Sequence, residues 1–298
     1  MVLTTDLSIV IVSYNVRDLL RDCLASLRAD LERLRAEVFV VDNASSDGSA
    51  DMVGAEYPWV TLVRSPDNRG YAAANNLALR QGRGRYLLLL NPDTVLPSGA
   101  LVETVAFLDA NPDVGALGPK LVRADGSLDL ACRRSFPSPE AAFFRLFGLA
   151  WLFPKSPRFA RYNLLHLDPD QPMDVDSVCG AFMLVRREVV ERVGLLDESF
   201  RMYGEDLDWA YRIKRAGWRV RYHPSVVVLH YKGESSRQRA SQSLRDFYDA
   251  MHVFYRKHYA PTRPPLFNAL VHATITARGG LALLLNCVRA PAARRVSA

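Results

Sequence analysis

The chain has 298 residues, 49% hydrophobic and 23% charged, with a formal net charge of +6 and a pI near 9.2. That composition excludes a disordered chain and allows one large domain or two small ones, with a core that needs no disulfide staples. The basic excess suits polyanionic partners (phosphates, anionic lipid or nucleic acid) and equally suits a surface somewhat rich in arginine.

SIVIVS (8–13) is a short β-branched run expected to form the first strand. Leu19, Leu20, Cys23, Leu24 and Leu27 then fall on one stripe, which predicts a helix. EVFVVDN (37–43) is a second strand ending in the carboxylate of Asp42, and the turn ASSDGS leads to a short helix. VTLVRS is a third strand, NRGYAAANNLAL a loop running into a helix, and RYLLLL a fourth strand. A helix over residues 99–109 and a strand, VGALGP, follow. Strands alternating with helices imply a parallel sheet with right-handed crossovers, and near-continuous apolar strands imply cover on both faces.

After Pro119 the rhythm breaks. ADGSLD has the composition of a hairpin turn, and residues 133–172 hold many prolines and aromatics with little periodicity. VDSVCGAFMLV predicts another strand, residues 205–216 a helix, WRVRYHP and VVVLHY two further strands, and residues 237–258 a helix. Cys23, Cys132, Cys179 and Cys287 form no C-x-x-C pair and no zinc spacing, so buried thiols in a reducing compartment are expected. MVLTTDLSIVIVSYN has no basic n-region and no small-residue cleavage site, so no signal peptide is expected.

Ligands of open α/β sheets sit at the carboxyl ends of the strands, where this chain places Asp42 and Asp93. In RYLLLLNPDT the leucines anchor a buried strand, and Pro92 fixes φ and withdraws an N–H, so the ladder ends just before Asp93. Capping of the next helix is an equally simple role for Asp93. The dinucleotide fingerprint is missing: GRGRYL precedes a strand instead of following one, and no G-x-x-x-x-G-K-[ST] occurs, so NAD chemistry and P-loop hydrolysis are not expected. In YGEDLDWAYR (203–212), Glu205, Asp206 and Asp208 crowd a helix start. The helix dipole alone would account for one or two of these acids; three among aromatics suggest a raised proton affinity and an available base. His230, after an apolar strand, is by itself a structural hydrogen bonder, yet with carboxylates it suits Mg²⁺ or Mn²⁺ holding a diphosphate.

SIVIVSYN, VVDNASSDGS, NRGYAAANN, LLLLNPDT, the run from DSVCGAFMLV through GEDLDWAYRIKRAGWRV, and LHYKGESS occur in this order. In them the chain resembles family 2 glycosyltransferases of the inverting GT-A fold, rhamnosyltransferase-like bacterial members in particular, over roughly residues 7–237. The resemblance implies an α/β, Rossmann-like, mixed but mostly parallel sheet flanked by helices. Residues 1–236 would be the GT-A domain (1–118 the nucleotide-sugar half, 119–236 the acceptor and catalytic half), and 237–298 a C-terminal helical extension. It further implies that Ser13, Tyr14, Asn15, Asp42, Asn68, Gly70, Asn75, Asn91 and Asp93 contact the nucleotide sugar. Asp93 and His230 would hold Mg²⁺ or Mn²⁺; Asp206, with Glu205 beside it, would be the catalytic base; Gly180, Ala181 and Asp208 would lie on the acceptor side. Where the family has D-x-D, Asn91 replaces the first acid; it can bond a ribose hydroxyl but is a poor metal ligand. The implied donor is a dTDP- or UDP-sugar, dTDP-L-rhamnose first, with a polyprenyl-linked or polysaccharide acceptor of the cell envelope; nucleic acid is not among the implied partners.

Arg133 and Arg134 suit an acceptor phosphate, or equally a solvated charge pair beside a turn. FFRLFGLAWLF (143–153) is too short to span a bilayer and is expected to be a buried helix, with a lipid-facing surface as the alternative. Near the C-terminus Leu266, Leu270, Ala273, Ala277, Leu281, Leu284 and Val288 form one stripe, with Arg263 before it and Arg289, Arg294 and Arg295 after. That pattern suits a helix lying in a membrane interface, hence a cytoplasmic enzyme peripheral on the inner membrane; a core-packed or homodimer-forming helix is the alternative. Two other function classes stay open. A nucleotidyltransferase that makes sugar nucleotides would carry GxGTRLxP after its first strand, where this chain has SYNVRDLL; a catalytically silent sugar-binding scaffold would not need Asp93, Asp206 and His230 together.

Overall fold

The computed structural model describes residues 5–146, 148–232 and 240–288. Residues 233–236 of LHYKGESS, the first residues of the helix expected from 237, and Arg289, Arg294 and Arg295 lie outside the described residues. The first half alternates as expected: β1 (Leu7–Ser13), α1 (Arg17–Leu31), β2 (Ala36–Asp42), α2 (Ser49–Glu56), β3 (Val60–Arg64), α3 (Tyr71–Leu79), β4 (Tyr86–Leu90), β5 (Thr94–Val95), α4 (Ala100–Ala110) and β6 (Val114–Val122). The second half contributes α5 (Pro139–Leu146), α6 (Leu149–Leu152), β7 (Met173–Asp174), β8 (Phe182–Arg186), α7 (Arg187–Val193), α8 (Glu205–Arg215), β9 (Arg219–His230), α9 (Ala240–His258) and α10 (Pro265–Val288).

Among the described residues one nine-stranded sheet has the order β3-β2-β1-β4-β8-β6-β9-β5, with β7 also on β9. β1, β2, β3, β4, β6 and β9 run one way, and β5, β7 and β8 run against them. The sheet is therefore mixed but mostly parallel, with helices flanking it. β1, β4 and β8 are buried at every position, which is why they carry unbroken apolar runs in place of alternation. Leu20, Cys23, Leu24 and Leu27 of α1 are buried, and its Asp30 accepts from Gly99 N at 2.6 Å and Leu101 N at 2.7 Å, capping α4.

The structure corrects several expectations. VDSVCGAFMLV is a strand only from Phe182, because the Gly180 N–H leaves the sheet to donate to Asp206. WRVRYHP and VVVLHY are one strand, β9, and its register against β6 slips between His223 and Val227, around Pro224, which has no N–H for the ladder. FFRLFGLAWLF is not a buried helix. Gly148, at φ +71°, separates α5 from α6, and Phe143, Trp151, Leu152 and Phe153 are exposed. Cys23 and Cys132 are buried, but Cys179 is half-buried and Cys287 exposed.

The two C-terminal helices differ in role. α9 closes over α8: Phe254 stands 6.0 Å from Tyr211 and 6.5 Å from Phe136, ring to ring. α10 packs on α9 through Ile275 and Gly279, where a side chain would press against the Tyr248 ring. The whole predicted stripe, Leu266, Leu270, Ala273, Ala277, Leu281, Leu284 and Val288, faces away from α9 and is exposed. This helix is long and apolar enough to cross a membrane by length and composition.

Candidate active site

The strand tips of the first half converge. Ser13 ends β1 opposite Asp42 at the end of β2. Just beyond, Asn15 at φ +52° and Ala44 at φ +67° turn the chain away from the sheet. Asn15 Oδ1 accepts from Ser46 N at 2.7 Å, and Asp42 Oδ2 from Ser45 N at 3.1 Å. Beside them Asn43, absent from the sequence-based set, accepts from Arg69 N at 3.0 Å and donates to Asn68 Oδ1 at 3.3 Å and the Gly70 carbonyl at 3.4 Å. Gly70 is obligatory: its φ is +85° and a Cβ would run into the Arg201 carbonyl oxygen. The side-chain amide of Asn75 then donates to the Tyr71 carbonyl at 2.9 Å. Tyr14 lies in the same turn after β1.

The fourth strand delivers Asp93 as its sequence predicted. Thr94 stands opposite His230 in the β5–β9 pair, and the Asp93 carbonyl accepts from Tyr231 N at 2.9 Å, so Asp93 and His230 are neighbours across two strands. Asp93 Oδ1 lies 3.3 Å from His230 Nε2, an ion pair when the ring is protonated, and that buried oxygen has no well-aligned hydrogen bond. His230 Nδ1 lies 3.0 Å from Asp129 Oδ2, and Lys232 holds the other Asp129 oxygen. Burial alone would lower the His230 pKa, but Asp129 and Asp93 outweigh it and raise it to about 9. Burial likewise opposes the Asp129 charge, yet His230 and Lys232 hold that carboxyl well below the usual carboxylate range. Among the described residues no group of three or more His, Cys, Asp or Glu side chains closes into a metal cage. With no cation present His230 is an imidazolium facing Asp93; a hard divalent cation would take the place of its Nε2 proton, between that nitrogen and the Asp93 carboxylate, and leave its other positions to ligand oxygens.

The third group forms at the start of α8, after Tyr203 at φ +69° and Gly204. Asp206 Oδ2 accepts from Arg134 Nη2 at 2.6 Å and Gly180 N at 3.0 Å, while Oδ1 accepts from Leu207 N at 2.7 Å. Glu205 is buried with one oxygen unpartnered, and burial together with the Asp206 charge raises its pKa to about 8. Tyr71, also missed in the sequence, donates to the Gly180 carbonyl at 3.0 Å; burial and the Glu205 charge push its phenol well above its usual range. The Ala181 carbonyl accepts from Asn91 N at 3.0 Å and so joins this group to the Asp93 turn.

Two residues expected on the acceptor side are elsewhere. Arg133 is 2% exposed and donates to the carbonyls of Leu167 and Asp168, so it stabilises the irregular segment and is not available to an acceptor phosphate. Asp208 has no exposed surface; it meets Arg212 at 2.8 Å, Lys257 at 2.7 Å and His258 at 2.7 Å, pinning α9 to α8. One helical turn separates it from Glu205, yet it faces the packed interior. Arg134 is at the site, but against Asp206. Asp129 had no detectable sequence signal: one of two aspartates in the turn-rich stretch ADGSLD.

The sheet order, the strand-tip acids and the α8 cluster are the architecture of a GT-A glycosyltransferase. The profile described as Glycosyltransferase like family 2 matches residues 5–249. The N-acetylglucosaminyl-diphospho-decaprenol L-rhamnosyltransferase of Mycobacterium tuberculosis is 30% identical over 293 residues, covering 94% of this chain and 92% of that protein. Rhamnosyltransferase WbbL of Escherichia coli K12 is 27% identical, over 80% of this chain and 88% of its own. Among solved structures, mannosyltransferase PcManGT of Pyrobaculum calidifontis with GDP-Man and Mn²⁺ superposes with a TM-score of 0.58 at 22% identity, covering 94% of this chain and 71% of that one. GalNAc-T7 with UDP, GalNAc and Mn²⁺ gives a TM-score of 0.55 at 16% identity over 78% of this chain and 45% of that chain. The chain belongs to the family 2 glycosyltransferases and is a hexosyltransferase.

Proposed function

We propose that the protein transfers L-rhamnose from dTDP-L-rhamnose to a polyprenyl-diphosphate-linked glycan, with inversion at the anomeric carbon. The observation that carries the donor site is a set of buried acceptors without hydrogen bonds: Ser13 Oγ, Asp42 Oδ1, Asn75 Oδ1, Asp93 Oδ1 and Glu205 Oε2. Buried polar atoms are rarely left without hydrogen bonds, and this set, at the carboxyl ends of the strands, in the first turns of α3 and at the α8 start, suits the hydroxyl and N–H donors of a nucleotide sugar plus a cation. The choice of rhamnose and of a lipid-linked acceptor rests on the names of the relatives.

In this reading Asp42 and Ser13 bind the base and ribose, and Asn91 supports the ribose. Asp93 and His230 would hold Mg²⁺ or Mn²⁺, which supplies charge neutralisation to the departing diphosphate. Asp206 takes the proton of the acceptor hydroxyl. That oxygen forms the new bond to the anomeric carbon while the bond to the diphosphate breaks, its electron pair leaving with the nucleotide. Glu205, protonated near neutrality, sits beside Asp206 without adding a second charge.

The exposed α10 stripe would rest on an anionic bilayer, where a lipid acceptor is found; Arg263 precedes it, and Arg289, Arg294 and Arg295 follow it in the sequence. A second copy of the chain is the competing occupant.

The test is a thermal-shift and transfer panel of dTDP-rhamnose, UDP-N-acetylglucosamine and GDP-mannose, each with Mn²⁺, with Mg²⁺ and with EDTA. A ligand at 100 times its Kd stabilises by about 2.7 kcal/mol. Selective stabilisation and turnover with dTDP-rhamnose support the assignment; selectivity for another nucleotide sugar replaces the rhamnosyl assignment.

A further inference from the structure

We infer that Arg134 is a positioning residue for the base: it fixes the Asp206 carboxylate so that one oxygen, Oδ1, is left to receive the acceptor's proton. This rests on the reading of Asp206 as the base.

A carboxylate offers about four lone-pair sites. Oδ2 uses two, for Arg134 Nη2 at 2.6 Å and Gly180 N at 3.0 Å, and Oδ1 uses one, for Leu207 N at 2.7 Å. The remaining site is on Oδ1. Three donors from three segments leave the side chain no freedom to rotate, so the base is held in place before the acceptor arrives.

Arg134 is itself held. Its backbone pairs both ways with Ser177: Arg134 N donates to the Ser177 carbonyl at 2.9 Å, and Ser177 N to the Arg134 carbonyl at 3.0 Å. Its Nη2 also donates to the Val178 carbonyl at 3.3 Å. The side chains of Arg134 and Asp206 are 12% and 9% exposed, so the pair is nearly desolvated, and a charge-assisted bond there is far stronger than at a surface. The segment around Arg134 is thereby tied to catalysis through Asp206: its backbone delivers the guanidinium, and the guanidinium aims the base.

The experiment measures kcat, donor Kd and melting temperature for Arg134→Met, Arg134→Lys, Asp206→Asn and the Arg134→Met/Asp206→Asn double variant. If Arg134 acts through Asp206, Arg134→Met lowers kcat about 100-fold, a typical general-base contribution, with donor Kd within about twofold of wild type. Added guanidinium chloride at millimolar concentration restores part of that loss, Arg134→Lys keeps more activity than Arg134→Met, and the double variant is no slower than Asp206→Asn alone. Should Arg134→Met not fold, Arg134→Gln is read the same way. Wild-type kcat in the Arg134 variants with an inactive Asp206→Asn overturns the positioning role and spares the base. Full, additive loss on top of Asp206→Asn also overturns it. An active Asp206→Asn overturns the base reading, and the positioning role falls with it.

Discussion

His230 turns its Nδ1 to a carboxylate, that of Asp129, which has no exposed surface and lies 3.0 Å away. That bond fixes the ring with Nε2 3.3 Å from Asp93 Oδ1. A backing carboxylate of this kind orients an imidazole ligand, and its loss typically costs about 10- to 100-fold in metal affinity. Asp129→Asn is therefore expected to weaken Mn²⁺ binding in the presence of nucleotide by that factor, measured by titration calorimetry, while Asp93→Ala abolishes it. Unchanged Mn²⁺ affinity in Asp129→Asn would show that His230 needs no support.

Asp208→Asn tests stability. Removing one member of a buried charged group is strongly destabilising. Arg212 and Lys257 keep some contact with water, so a loss of about 2–4 kcal/mol is expected, read from urea unfolding at pH 7. Burial opposes the Asp208 charge, but its bond to His258 and the Arg212 and Lys257 charges hold its carboxyl below the ordinary value. Its contribution is thus complete above the unfolded aspartate value, about 3.9, and fades as pH falls through the lower folded value. Wild type and variant should converge in that acidic range. The folded variant should keep most of its kcat.

Glu205→Gln has the opposite pH signature. Its folded pKa is raised to about 8, so the unfolded chain releases this proton first, near the ordinary glutamate value of about 4.3. The wild type should lose stability between roughly pH 4.3 and pH 8, and Glu205→Gln should flatten that slope. Melting curves at pH 5, 6.5 and 8 check it: a variant advantage that grows with pH is the expected result, and parallel curves would contradict it.

Triple replacement of Leu270, Leu281 and Leu284 by Ser leaves the α9 contacts of Ile275 and Gly279 intact. It should cut flotation with liposomes containing about 30% anionic lipid by tenfold or more, the scale of losing three leucines at roughly 1.5–3 kcal/mol each when fully buried. Unaltered flotation, or a shift from dimer to monomer in sedimentation, would assign the stripe to something other than the bilayer.

The acids at the strand tips were legible because their signal is local: an apolar run that stops at a carboxylate marks the strand, its end and the residue delivered. Asp206 and Asp208 were harder. Both open the same helix, and which one meets the cleft depends on helical phase against neighbours far along the chain, Gly180 and Arg134 for one, Lys257 and His258 for the other. Arg133 and Arg134 show the same limit, for adjacent arginines in an extended segment point to opposite sides. The aromatic run around Gly148 was misread because hydrophobic content alone does not say whether a short helix finds a partner. Asp129 joins the site through residues about a hundred positions away, beyond any local pattern.

The sheet order also governs how this chain is made. Tyr86 of β4 pairs with Arg186 of β8 across 100 residues, and between those two points of synthesis β4 has β1 on one side and nothing on the other. At about 5–20 residues per second a ribosome needs roughly 5–20 s to deliver the missing neighbour. During that interval the leucine run of β4 is an open edge, a template for the same strand of another nascent chain. Slower translation prolongs the exposure of each edge, whereas a lower density of ribosomes separates the edges in space. Soluble yield should therefore rise when initiation is made rarer, and fall when elongation between these two strands is slowed.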